Sequence, residues 1–319
     1  MNIIYRNKFI LSIFTSLIFA SVATALTPNK GQWKQLNYID GLSSNYIFDV
    51  AKDNQGRIWV ATQNGITMLN GESIVKYGAK DGLPAADIIK VASLNDAVYA
   101  ATSNKGIFVL VGNSFEKLSE VKGSDVQTMK KIGDQLFIST NLENILFDGD
   151  AVSFMGKGFP NGQVKDVFIE REKVYYVSDK KIIEKEGSRF VSKTVQFPDA
   201  KIKIQSFLIA DGVEYFGTNQ GLWSRGDDNS LKAIQKNINI QCLSLLSTKT
   251  VLAGSKKGLF YVSKGKLKAY RPEGERHSAL AKTPVRGIKV ISNNEVWYST
   301  FGMGLYLHDP NTFINFGTD

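Results

Sequence analysis

Five long polar side chains recur at one position of a repeating pattern: Gln127, Lys165, Gln205, Gln241 and Arg286. Each follows an apolar residue, and the same position holds Phe48 and Ile89 in the two earlier copies. Amide and cationic donors of this kind suit a carboxylate, a sugar or a phosphate, because each presents N–H groups to oxygen. A second cluster lies within one stretch, Arg271-Pro272-Glu273-Gly274-Glu275-Arg276-His277. Arg271, Arg276 and His277 are candidate ligand contacts there, and paired acids beside a histidine are a combination that acid–base chemistry uses. The competing structural readings are a channel lining solvated by ordered water for the first cluster and a polar surface insertion for the second.

Outside these clusters the chemistry is sparse. The chain has two histidines, His277 and His308, and one cysteine, so no zinc ligand set can be assembled. It has no Walker loop, no Gly-x-Ser-x-Gly elbow and no His-Glu-x-x-His. No metal, no cofactor and no catalytic residue are therefore expected. Asp53-Asn54-Gln55-Gly56 has too few oxygen ligands for a calcium loop and reads as a hairpin turn. Cys242 excludes any internal disulfide, so folding must rest on burial alone, and the thiol itself is expected to be buried and inert.

The elements that position the clusters announce themselves by repetition. A pentad of large apolar residues ending in a small or hydroxylated one occurs seven times. It opens as Ile58-Trp59-Val60-Ala61-Thr62, Val98-Tyr99-Ala100-Ala101-Thr102 and Leu136-Phe137-Ile138-Ser139-Thr140. It continues as Val174-Tyr175-Tyr176-Val177-Ser178, Glu214-Tyr215-Phe216-Gly217-Thr218, Val251-Leu252-Ala253-Gly254-Ser255 and Val296-Trp297-Tyr298-Ser299-Thr300. Successive closing residues are 37 to 45 positions apart, the period of a propeller blade. The expected fold is all-β, a seven-bladed β-propeller of four-stranded antiparallel blades. Because neighbouring blades cover both faces of each sheet, the pentads are continuous apolar runs rather than alternating ones. Their second residue is expected to wedge between blades.

In the first repeat the strands are expected at residues 47–52, 57–62, 66–69 and 73–77, joined by Gly and Asn turns. The innermost strands should line a central channel, which would place the five polar residues around its mouth. A Gly-Ile or Gly-Leu pair opens the third strand at Gly65, Gly106, Gly221, Gly258 and Gly304, but Asn144 and Lys181 stand there in the third and fourth repeats. Two segments compete to close the ring, residues 33–38 and residues 312–316. The first is favoured because it precedes Asp40-Gly41-Leu42.

Asp40-Gly41-Leu42-Ser43-Ser44-Asn45-Tyr46-Ile47, then residues 53–62, then Gly65-Ile66, resemble the two-component regulator propeller repeat. Asp81-Gly82-Leu83-Pro84 restarts the pattern. The resemblance implies a propeller fold and a binding role, since such repeats form the periplasmic sensor halves of hybrid histidine kinases, often sensing glycans. No kinase or regulator segment and no membrane span follow the repeats here, so a stand-alone propeller is expected.

The amino terminus has the form of a secretory signal: Arg6 and Lys8, an apolar run over residues 9–20, then Ala23-Thr24-Ala25. The expected organisation is a signal peptide at 1–25 and one propeller domain at 26–319, periplasmic or secreted. Removing the signal leaves +7 of the formal charge of +9, spread along the chain as a solvated surface is. The function these features imply is non-enzymatic recognition, by a monomer, of a glycan, another anionic ligand or a periplasmic protein partner. Nucleic acid and a stable membrane span are not expected. The alternative is a propeller enzyme such as a polysaccharide lyase or glycoside hydrolase, working with Tyr, Arg and Glu.

Overall fold

A computed structural model describes residues 32–156, 158–187, 189–271, 279–292 and 295–309. The proposed signal peptide and the tail segment 312–316 lie outside the described residues.

The described residues form seven four-stranded antiparallel sheets, with twenty-eight strands among them, arranged as the blades of a propeller. Strand β1 (Gln32–Leu36) comes first, and blade one follows as β2 (Ile47–Lys52), β3 (Ile58–Thr62), β4 (Gly65–Asn70) and β5 (Ser73–Tyr77). The innermost strands of the next six blades are β6 (Ile88–Leu94), β10 (Val126–Ile132), β14 (Asp166–Glu170), β18 (Ile204–Ala210), β22 (Ile240–Ser247) and β26 (Val285–Ser292). Blade seven continues with β27 (Glu295–Thr300) and β28 (Leu305–Asp309), and β1 supplies its fourth strand.

Closure thus runs through the front of the chain, as expected. Strand β1 pairs antiparallel with β28, setting Trp33 opposite His308. The Trp33 ring lies 4.1 Å from the His308 ring at an interplanar angle of 9°, and Tyr270 and Tyr298 pack around it. His308 is wholly buried in this stack and takes no part in the channel. The strand ends at Leu36, short of the expected residue 38, because side chains organise a turn there. Asp40 accepts from the Asn37 N–H at 2.9 Å, and Asn45 accepts from the Tyr38 N–H at 2.7 Å.

The pentads form the second strand of each blade and are buried on both faces. All five residues of β3 are buried. The wedge position holds Trp59, Tyr99, Phe137, Tyr175, Leu252 and Trp297, each buried. Tyr215 departs from this expectation: it is half-buried, and its neighbour Phe216 is the fully buried ring, 5.4 Å from Phe207.

The hydroxyl that ends each pentad has a structural task. Thr62 Oγ1 donates to the Gly65 carbonyl at 2.9 Å and accepts from the Asn64 N–H, which locks the turn between the second and third strands. Thr102, Thr218, Ser255 and Thr300 make the same donation over 2.5–2.9 Å. Gly65 has φ +103°, and a Cβ there would meet the Tyr77 carbonyl oxygen at 2.2 Å, so both conformation and space demand glycine. Where glycine is missing, in blades three and four, the pattern changes: Ser178 Oγ reaches the Lys181 carbonyl at 3.4 Å, and Thr140 Oγ1 donates to the Lys122 carbonyl at 2.9 Å, with the Glu143 carbonyl at 3.4 Å.

Asp53 confirms the hairpin reading of its turn. Its carboxylate accepts from the N–H groups of Gln55 and Arg57, from Arg57 Nε at 2.6 Å and from Trp59 Nε1 at 2.7 Å. Burial raises its pKa, but the donors from Trp59 and Arg57 outweigh that and hold the carboxyl below the usual aspartate range.

Adjacent blades share no ladder, so side chains join their inner strands. Asp49 accepts from the Val91 N–H, Asp166 from Ser206 Oγ at 2.6 Å and from the Phe207 N–H, and Ser206 Oγ from the Leu243 N–H. Each acceptor sits one residue beyond the polar column.

Candidate functional site at the channel mouth

The inner strands run along the axis, and six of the seven share an irregularity at one place. The ladder register shifts at 47/49, 88/90, 126/128, 204/206, 240/242 and 285/287. The residue skipped in each case is the column residue: Phe48, Ile89, Gln127, Gln205, Gln241 or Arg286. A bulge leaves one residue unpaired and re-aims its side chain. In the fourth blade Lys165 instead precedes β14, its N–H bonding to Val177 O at 2.7 Å. All seven column residues line one recess of about 580 Å³ at the end of the channel where the inner strands begin.

The recess carries both a connected network and unspent hydrogen-bonding groups. Lys165 Nζ donates to Gln127 Oε1 at 2.9 Å and to Gln163 Oε1 at 3.3 Å, while Gln127 Nε2 donates to Asp125. Across the opening, the Gln241 carbonyl oxygen is shielded from solvent and has no hydrogen-bond partner among the described residues. The Arg286 guanidinium lies over two rings, 4.3 Å from the centroid of Phe301 and 5.0 Å from that of Phe48. Stacking holds the planar group by its faces and leaves its N–H edge free to bond. Among the described residues no acceptor takes those N–H groups. Burial lowers the Arg286 pKa, and Asp87 partly offsets this; the group stays protonated because arginine begins so high.

The structure therefore brings Gln127, Lys165, Gln205, Gln241 and Arg286 together. Arg271 is exposed and follows the outermost strand of blade six, away from the recess lining. Arg276 and His277 lie outside the described residues. Four polar recess residues escaped the sequence pattern: Lys90, Asp179, Lys203 and Asn219. Lys203 was readable, because it stands two residues before Gln205, as Asp125 does before Gln127 and Gln163 before Lys165. Positions two apart share a strand face. Asp179 and Asn219 come from turns on neighbouring strands, and Lys203 reaches Asp179 at 2.8 Å. Beside Arg286 stands an aromatic shelf, with the Tyr46 and Phe301 centroids 4.5 Å apart and both rings partly exposed.

Below the recess the channel continues as a cavity of about 280 Å³. Cys242 lies on its wall, half-buried rather than buried as expected, because its strand lines the channel. Burial pushes its thiol up to about 12, so it is a poor nucleophile at neutral pH. No group of three or more His, Cys, Asp or Glu suited to a metal occurs among the described residues.

Residues 41–64 match the family model described as two component regulator propeller. A histidine kinase, P4, from Formosa agariphila is 28% identical over 69 residues, which cover 21% of this chain and 5% of that protein. Among solved structures, the extracellular domain of the two component system protein BT4673 from B. thetaiotaomicron superposes with a TM-score of 0.71 at 17% identity. That match covers 88% of this chain and 40% of the other. YCF48 from Cyanidioschyzon merolae matches with a TM-score of 0.64 at 11% identity, over 88% of this chain and 99% of its own. This chain thus spans well under half of the first two relatives, and at such identities the structural likeness speaks for the fold alone. This chain is a seven-bladed β-propeller whose residues 41–64 match the two-component regulator propeller repeat.

Proposed function

We propose that this propeller is an exported, non-catalytic recognition module that binds an anionic ligand, foremost the acidic groups of a glycan, at the channel mouth. One observation carries the reading: the Arg286 guanidinium is held by its faces on Phe48 and Phe301, with its donor edge unspent beside Lys165 and three glutamines. A carboxylate or sulfate would receive charge-assisted hydrogen bonds there. The exposed rings of Tyr46 and Phe301 offer an apolar face to a sugar ring. The signal-like amino terminus and the fold shared with extracellular sensor domains support an address outside the cytoplasm.

Calorimetric titration with acidic and neutral oligosaccharides of equal length tests the reading. The acidic series should bind and the neutral series should not. Replacing Arg286 and Lys165 with glutamine should weaken binding at least tenfold, given about 1.5–3 kcal/mol for a hydrogen bond to a charged group. Equal binding of both series, or binding indifferent to the double variant, would overturn it. Shortening of the oligosaccharide during the titration would replace recognition with a lyase or hydrolase activity.

A further inference from the structure

The channel below the mouth is rich in cations. Seven lysines and arginines line it against two carboxylates, and three of the seven, Lys90, Lys165 and Arg286, line the mouth as well. Both carboxylates are engaged in joining blades: Asp49 accepts from the Val91 N–H, and Asp166 accepts from Ser206 and two backbone N–H groups. Lys130 spends its ammonium on the Val167 carbonyl, with Asp166 a further 3.9 Å contact. Lys90 and Lys289 have no carboxylate within 4 Å among the described residues, and no hydrogen bond is made by either ammonium there.

From this arrangement we infer that the channel holds a compact multivalent oxyanion between Lys90, Lys130 and Lys289, below the mouth site, with Lys130 and Lys289 outside the mouth lining and Lys90 at the border of the two. Lys289 and Lys90 come from blades seven and two, on either side of blade one, and Lys130 comes from blade three. Three elements thus bring lysines to one cavity, and about 280 Å³ accommodates two linked phosphate or carboxylate groups with their water. Lys289 is accessible from the channel, and desolvation by the channel walls lowers its pKa; Asp49 offsets part of this, while Lys130 and Lys90 add to it. The narrow walls strengthen the pull of these charges on an anion.

Inorganic pyrophosphate is the probe, with chloride at equal ionic strength as the control. Pyrophosphate should bind the full chain and raise its thermal midpoint, because an anion that binds only the folded state stabilises it. Lys289→Met and Lys90→Met keep the aliphatic stem and should each weaken binding at least tenfold. Their melting temperatures without anion should equal or exceed that of the wild type, since like charges are thinned. Lys289→Gln provides the same test should the methionine variant fail to fold. The mouth pair Lys165→Gln and Arg286→Gln separates the two sites. Pyrophosphate binding that survives the mouth changes and falls with Lys289→Met supports the channel site. Binding lost with the mouth pair but untouched by Lys289→Met, whose residue lies outside the mouth lining, overturns it and leaves the mouth reading standing. Absence of pyrophosphate binding also overturns it.

Discussion

Blade five holds two kinds of repeating position side by side. Thr218 stands opposite Ile204 in the ladder, and Gln205 follows immediately in the bulge. Thr218 is wholly buried, and its hydroxyl donates to the Gly221 carbonyl at 2.8 Å and accepts from the Gln220 N–H. Around the ring its counterparts are always Thr or Ser, and each bonds within its own turn or to the connection beside it. Gln205 faces the recess, and its counterparts run from Phe48 through Lys165 to Arg286. One position repeats in chemistry as well as in spacing, because every blade needs the same turn. The other repeats only in spacing, because the channel mouth is a single asymmetric surface that each blade enters once. Within a repeat protein, sameness marks the scaffold, and variation at a shared, inward-facing position marks what the scaffold presents.

If the two kinds of position are separable, damage to the first should melt the molecule and damage to the second should alter binding alone. The largest expected effect is at closure. Deleting residues 26–38 removes β1, opens the edge of β28 and uncovers the His308 stack. An open edge in place of a paired one should lower the thermal midpoint steeply in a circular dichroism melt. An unchanged midpoint would show that the front strand is dispensable.

Next comes the pair within blade five. Thr218→Val strands a buried carbonyl and a backbone N–H, which costs about 1–3 kcal/mol. Gln205→Ala, at the channel, should stay within about 0.5 kcal/mol of the wild type. Denaturant titration of both variants measures the contrast, and equal losses would break it.

Arg286 tests whether a column position is purely presentational, since its stacking on Phe48 and Phe301 gives it packing to lose. Arg286→Lys retains charge but not the planar face, so affinity for an acidic ligand should fall about as far as in Arg286→Gln. Calorimetry that finds the lysine variant as tight as wild type would reduce the site to net charge.

The smallest effect concerns the Asp53 turn and depends on pH. A carboxyl whose pKa is depressed by folding contributes stability above its unfolded value, near 3.9, and loses it as pH falls through the folded value. The gap in denaturant midpoint between wild type and Asp53→Asn should therefore be constant at neutral pH and narrow below about pH 4. A gap that widens on acidification would contradict the sign.

Much of this was legible in one dimension. Strands β2 and β5 have the bounds that the turn residues indicate, and the front strand closes the ring. The column at Gln127, Lys165, Gln205, Gln241 and Arg286 does meet around one opening. The Lys203 and Gln163 ring two residues earlier was readable but not recognised. Nothing local indicates the shelf of Phe301 and Tyr46 or the half-exposed Tyr215.

The sequence by itself determined the number of blades, the strands within each and the turns between them. Those features rest on local conformation and on burial that recurs every blade, and each repeat states them afresh. Only the tertiary structure decided which side chains face one another across the axis. Phe48 and Arg286 lie near opposite ends of the chain and touch because the ring closes between blades seven and one. The bulges that aim the column inward, the carboxylates that join blade to blade, and the crowding of Lys90, Lys130 and Lys289 in one cavity have the same origin. Each depends on how neighbouring sheets are set against one another, and a period along the chain carries no information about that.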